Sequence, residues 1–227
     1  MAIDEHSTGE DGLISAGVPI RERYGLVLVL ILGGYLLAGI DNNKWVAILN
    51  AVLWMAILLT ALWSPGVPER IRRVGGIATL VLLISTVSLG WLSSDAAAGM
   101  RLLLFAIAQM AALLAILNQI SRHQRVALQT VMGAIACYAL IALAMAALFH
   151  GLDYLSGSTF LNGVVATGDY VYFSFVTLTT VGYGDITAAS DVAKRLVVVE
   201  AFVGQVFLIT LVARLVTLWG LPLKRSG

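Results

Sequence analysis

The sequence predicts an all-α membrane protein with six spanning helices and a shorter re-entrant segment between the fifth and the sixth. Three observations predict it. Of 227 residues, 59% are hydrophobic and 12% are charged, where a soluble domain carries about 25% charge; the mean hydropathy is +0.92. The apolar residues fall into six runs, each close to the roughly 20 helical residues that a bilayer core requires. Lys and Arg gather on alternate connections between those runs.

This composition excludes a soluble enzyme, a disordered chain and a nucleic-acid binder, since a net charge of +1 leaves no electrostatic footprint for DNA or RNA. The single cysteine, Cys137, excludes an intramolecular disulfide and a cysteine-rich zinc site. His6, His123 and His150 are too scattered for a histidine metal site. No paired-carboxylate, Ser-His-Asp, Cys-His or phosphate-cradling pattern supports an enzyme, and no resident cofactor is expected.

The elements follow in order. Residues 1–23 read as a cytoplasmic tail; its acidic start (Asp4, Glu5, Glu10, Asp11) lacks the basic n-region of a signal peptide. The first run, 24–40, ends at Asp41, and Arg21 and Arg23 can snorkel to the interface. The second, 45–67, stops at Pro65 and Pro68. The third, 74–94, is bounded by Arg73 and Asp95, and the fourth, 102–121, by Arg101 and Arg122. The fifth, 126–152, follows Arg125. The run 170–181 is too short to span. The sixth, about 192–221, carries two internal charges, Glu200 and Arg214. Residues 222–227 form a short tail, with no soluble domain expected after it. The pairs Gly33-Gly34 and Gly75-Gly76 read as sites of close helix packing.

Orientation follows from the cations. With the N-terminus inside, Arg21, Arg23, Arg70, Arg72, Arg73, Arg122, Arg125, Lys224 and Arg225 are cytoplasmic, against Lys44, Arg101, Lys194 and Arg195 outside. Both termini are therefore expected in the cytoplasm of a multi-pass protein of the cell membrane, plasma or bacterial inner, with lipid around it.

The residues that carry the function run from Thr180 to Asp185, reading Thr-Val-Gly-Tyr-Gly-Asp, after the apolar stretch from Tyr172 to Thr179. Irregular backbone survives at membrane depth only where it lines a cavity or is buried in protein. Gly182 and Gly184 permit φ > 0 at alternate positions. Such alternation can turn successive carbonyl oxygens to one side. A column of carbonyls from several chains can then replace the water shell of a cation. The helix before it, about 169–179, would aim its negative C-terminal end at the same axis, with Asp169 at the N-cap.

This stretch resembles the pore helix and selectivity filter of potassium channels. The resemblance implies that the carbonyls of Thr180, Val181, Gly182 and Tyr183, with the Thr180 hydroxyl, bind K+, that Gly184 completes the filter, and that Asp185 stands at the outer mouth. It implies a homotetramer, because four such loops make one filter: the partners are three further copies, K+ and lipid. The likeness is strongest over about 165–215 and extends across a pore domain at 126–221. Gly204, nineteen residues after Asp185, stands where the family's inner helix has its hinge glycine; close packing is the alternative. Tyr172 and Phe173 occupy positions where many relatives have tryptophans that brace the filter. Tyr172 can still donate a hydrogen bond to Asp185, whereas Phe173 cannot donate one, leaving Tyr183 to lean on Thr177. Val176 replaces a carboxylate that some relatives place behind the filter. Slow filter closure is expected to differ accordingly, and Phe173→Trp to alter it.

Charges inside a membrane are costly and functional by default. Glu200 is expected behind the pore helix, and Arg214 is expected to anchor the sixth helix at the inner interface. Gln205 is a candidate for the water-filled cavity. His150 is placed at the outer interface, with a pH-sensing role as the alternative. Residues 24–121 have the layout of a four-helix voltage-sensor domain without gating charge: 102–121 holds no Arg or Lys, and Asp41 and Asp95 fall in outer loops. Each charge moved across the field would supply about 2.3 kcal/mol per 100 mV. The expected function is passive, potassium-selective conduction without steep voltage gating. The competing readings are a poorly selective cation channel, a subunit of a potassium transport system, and a non-conducting or partner-regulated membrane protein that keeps a pore-like fold.

Overall fold

The computed structural model describes residues 69–88, 94–121, 128–157 and 159–219, with isolated positions between 25 and 55. In chain order the elements are α1 (Glu69–Ser88), α2 (Asp95–Ser121), α3 (Leu128–Ser156), β1 (Leu161–Asn162), α4 (Gly168–Leu178), β2 (Thr187–Ala188) and α5 (Asp191–Trp219). Among the described residues, three helices are long and apolar enough to cross a membrane, within α2, α3 and α5. All of the run 45–67 but Met55, and most of 24–40, lie outside the described residues, as do both expected tails, 1–23 and 222–227. Within 24–40, residues 28–31 are helical and Ile31 is buried in the same core as α2 and α3.

Helix starts depart from the hydropathy boundaries for a local reason. The helix α2 begins at Asp95, not at 102, because Ser94 caps it: Ser94 Oγ accepts the Ala97 N–H at 3.3 Å. Asp95 then places a negative charge in the first turn, at the positive end of the helix dipole. Arg101 therefore lies within α2, and Asp95 heads a helix instead of sitting in a loop. The same Ser-Asp pair opens α5, where Ser190 Oγ accepts the Ala193 N–H at 3.1 Å. The helix α1 starts at Glu69, which pairs with Arg73 at 2.9 Å; the pair is exposed and is worth about 0.5 kcal/mol at most. The helix α3 continues past 152, through Asp153, to Ser156.

The helix α3 is the centre of the arrangement. One side of it receives α2, which in turn carries α1, and the other receives α4 and α5. Small residues let these backbones approach: Gly99 of α2 and Gly151 of α3 face each other so closely that a Cβ on Gly99 would lie 2.9 Å from the Gly151 carbonyl oxygen. Among the described residues, a Cβ on Gly76 would meet nothing within 4 Å.

Two buried clusters stack along α3. One joins Ala134–Leu143 of α3 to Ile116 and Ile120 of α2 and Leu178 of α4. The other joins Ala146 and Phe149 to Phe160, Tyr170, Phe173, Ile186 and Ala193. Lipid tails are as apolar as leucine, so packing contacts, not transfer from water, stabilise these clusters in a bilayer.

Candidate functional site

The helix α4 is eleven residues long, about 16 Å at 1.5 Å per residue, and is too short to span. It buries Tyr170, Phe173, Ser174 and Leu178, which at helical spacing form one face against α3 and α5. Asp169 is not its N-cap. Thr167 holds that position without a side-chain bond. Asp169 lies in the first turn, and its Oδ2 accepts the N–H groups of Val165 and Ala166 at 2.7 and 2.9 Å, tying down the preceding loop.

The C-terminal end of α4 passes directly into the Thr-Val-Gly-Tyr-Gly-Asp loop. Here Thr180, Gly182 and Gly184 have φ of 60°, 56° and 80°. The two glycines adopt this conformation readily, whereas threonine does so at a cost of about 1–3 kcal/mol. Three backbone bonds hold it. The Thr180 N–H donates to the Thr177 carbonyl at 3.0 Å, and the Val176 carbonyl accepts from Val181 at 3.0 Å and from Gly182 at 3.3 Å. Left-handed residues thus alternate with Val181 and Tyr183, and all the residues from Thr179 to Asp185 are exposed in the single chain.

The ends of this loop are fastened by groups distant in sequence. Tyr172 Oη donates to Asp185 Oδ2 at 2.8 Å, the bond its position suggested. This hydroxyl is the main cause that holds the Asp185 carboxyl below the usual carboxylate range; desolvation opposes it, and the Ile186 N–H on Oδ1 adds a lesser lowering. The Tyr183 ring lies parallel to that of Tyr172, 6.5 Å between centroids, so within the chain it leans on Tyr172. Thr177 contributes its carbonyl to the loop. Phe173 turns away from the loop and meets Phe149 edge-on at 5.7 Å.

Behind α4, Glu200 of α5 is fully buried. Its Oε1 shares a hydrogen bond with Ser174 Oγ, and that oxygen also lies 2.6 Å from the Ala142 carbonyl of α3. Ser174 and Glu200 therefore join α3, α4 and α5 at one point. Gly204 lies one turn further along α5, where a Cβ would sit 2.5 Å from Leu178 Cδ1. Close packing thus accounts for this glycine. Gln205 is exposed, and Arg214 reaches a carbonyl of α2, the Ile120 oxygen, at 2.8 Å.

Tyr138, Asp153, Gly163 and Ser174 were missed in the sequence. Tyr138 of α3 donates to the Leu178 carbonyl at 2.7 Å, satisfying the last carbonyl of α4. Asp153 accepts the Phe160 N–H at 2.9 Å and the Tyr170 hydroxyl. His150 stacks on Tyr170 at 4.2 Å, beside that pair. Gly163, at φ 86°, packs against the Asp185 carbonyl, where a Cβ would lie 2.5 Å away. The ladder pairing Leu161 with Ala188 and Asn162 with Thr187 closes the same junction. The Asn162-Gly163 pair is a turn signal that was there to be read; Tyr138 and Ser174 carry no local signal.

Comparison with known proteins agrees with this geometry. Residues 134–219, from α3 to the end of α5, match the family described as "Ion channel". The chain is also similar to two pore potassium channel b of Oryza sativa subsp. japonica, 39% identical over 66 residues. That match covers 29% of this chain and 18% of the rice protein. The unit formed by α3, α4, the loop and α5 thus coincides with the stretch that matches the ion-channel family, and the chain spans less than a fifth of the rice protein's length.

Proposed function

We propose that four copies of this chain surround one pore that conducts K+ passively, and that the loop from Thr180 to Gly184 is its selectivity filter. The observation that carries this reading is the alternation of left-handed backbone at Thr180, Gly182 and Gly184, on an exposed edge at the end of a short buried helix. Alternating handedness turns successive carbonyls the same way, and four such edges would supply rings of oxygens in place of an ion's water shell. The rice protein's name points to the same cation.

The tetramer draws support from α5. Only 11% of its spanning window is buried within the chain, and Val198, Phe202 and Ile209 stand 66–69% exposed. Closed symmetry is the common way for copies of one chain to cover such a face. The filter in this reading is fastened from behind by Tyr138 and the Ser174–Glu200 pair, and at its mouth by Tyr172 and Asp185. The described part of the peripheral domain carries no ladder of cations: α2 holds one, Arg101. The pore is therefore expected to open without steep voltage dependence, in a cell membrane with both termini inside.

The test is the reversal potential of the purified protein in a planar bilayer, with K+ on one side and Na+ on the other. Reversal near the potassium equilibrium potential supports a selective pore. Reversal near zero rejects selectivity, and absence of current favours a non-conducting role. Voltage steps in the same chamber test the sensor reading; conductance rising e-fold within a few millivolts would overturn it.

A further inference from the structure

The far half of α5 carries a cation that membrane energetics does not tolerate without a partner. The inward stripe of α5 advances in steps of three and four: Val197, Glu200, Gly204, Phe207, Leu211, Arg214. Arg214 therefore points the way Glu200 and Gly204 point, toward the body of the chain and not toward lipid. The interfacial anchor expected from hydropathy thus faces protein, at the level of the last turn of α2.

Its Nη2 donates to the Ile120 carbonyl at 2.8 Å. Ile120 is the penultimate residue of α2, and the last four carbonyls of a helix have no partner within it. They also carry the negative end of the helix dipole, so a guanidinium is favoured there by charge as well as by the hydrogen bond. The contact is partly buried and bridges two helices that otherwise pack on α3 more than on each other. The helix α5 is thus held at two levels: Gly204 against Leu178 beside the loop, and Arg214 against the end of α2. Ten residues, about 15 Å of helix, separate them.

We propose that Arg214 is a positioning residue that ties the far half of α5 to α2, so that a displacement of the peripheral helix reaches the pore-lining helix without any gating charge. The tie gives the peripheral domain a mechanical route to the pore. Its functional side rests on the conduction reading above; its structural side does not.

Two measurements on the full-length protein in lipid nanodiscs and planar bilayers test it. Spin labels placed at Leu114 of α2 and Val216 of α5, both exposed, report the separation of the helices on a Cys137→Ser background. Arg214→Met keeps the apolar stem and removes the donors, and it is expected to shift or broaden the distance distribution. Arg214→Lys, which retains a cation, should stay close to the wild type. An unchanged distribution in Arg214→Met overturns the tie, and Arg214→Gln takes its place if the methionine variant does not fold. In single-channel records, Arg214→Met is expected to change open probability by roughly threefold or more, with unitary conductance and reversal potential unaltered. Unaltered open probability overturns the coupling. Absence of potassium current in the wild type would reject the conduction reading instead, and the label distances would then decide the tie alone.

Discussion

The helices α3 and α5 are each 29 residues long, and both contain a window apolar enough to span a membrane. Yet 67% of that window is buried within the chain for α3 and 11% for α5. The difference lies in position, not in composition. The helix α3 receives neighbours on several sides and is built around small residues such as Ala134, Ala142 and Ala146 that admit them. The helix α5 offers one stripe to the chain and leaves Val198, Phe202 and Ile209 to surroundings outside it. One helix is scaffold and the other is boundary, with most of its surface left uncovered by the chain.

The largest expected effect separates these roles. Leu140 of α3 is fully buried, and Leu140→Ala should destabilise the fold by about 2–5 kcal/mol in denaturant titration of the detergent-solubilised protein. Phe202→Ala should instead reduce the oligomer on size exclusion while leaving helix content unchanged. If Phe202→Ala unfolds the chain as Leu140→Ala does, the contrast between the two helices is wrong.

Next in size is the contact that fixes the stripe of α5. Gly204→Ala would push a methyl against Leu178, for a loss of about 1–3 kcal/mol. Gly76→Ala, where a Cβ meets none of the described residues, should gain up to about 1 kcal/mol from helix propensity. Thermal unfolding of the two variants, run side by side, checks the pair; equal effects would show that Gly204 is not tightly packed.

Tyr138→Phe should cost about 1–3 kcal/mol, because the Leu178 carbonyl loses its partner at the end of α4. The same unfolding assay reads it, and a neutral result would mean that another donor reaches that carbonyl.

The smallest effect lies at the loop's outer end. A carboxyl held below its ordinary pKa contributes stability above that pKa, near 3.9 for aspartate, and loses it as pH falls through the lowered value. The difference in slow current decay between wild type and Tyr172→Phe should therefore be present at neutral pH and shrink below about pH 4. A difference that persists unchanged into acid would remove Asp185 as the partner that matters.

What was legible in the sequence was local. The loop's glycine alternation lies within six consecutive residues, and its conformation depends on them and on the turn of helix before it. Tyr172 and Asp185 are thirteen residues apart, close enough for position along one helix and one loop to suggest their bond. Longer connections were legible only for Glu200, expected behind the short helix but without its partner. Ser174 meets Glu200 across 26 residues, Tyr138 meets Leu178 across 40, and Arg214 meets Ile120 across 94. The start of α2 was misplaced for a different reason. Arg101 was taken as a boundary on hydropathy, whereas the cap at Ser94 sets where the helix begins.

By itself the sequence determined which segments leave water, where the backbone can turn left-handed, and hence that a glycine-alternating loop follows a short apolar helix. Those properties reside in single residues and their immediate neighbours. Tertiary structure decided which face of each helix looks inward, that Gly204 is a packing site, and that Arg214 faces α2. In a chain where most side chains are as apolar as lipid, hydropathy does not distinguish the face that meets protein from the face that meets the membrane. That distinction comes from shape and from the few polar groups whose hydrogen bonds must be met inside.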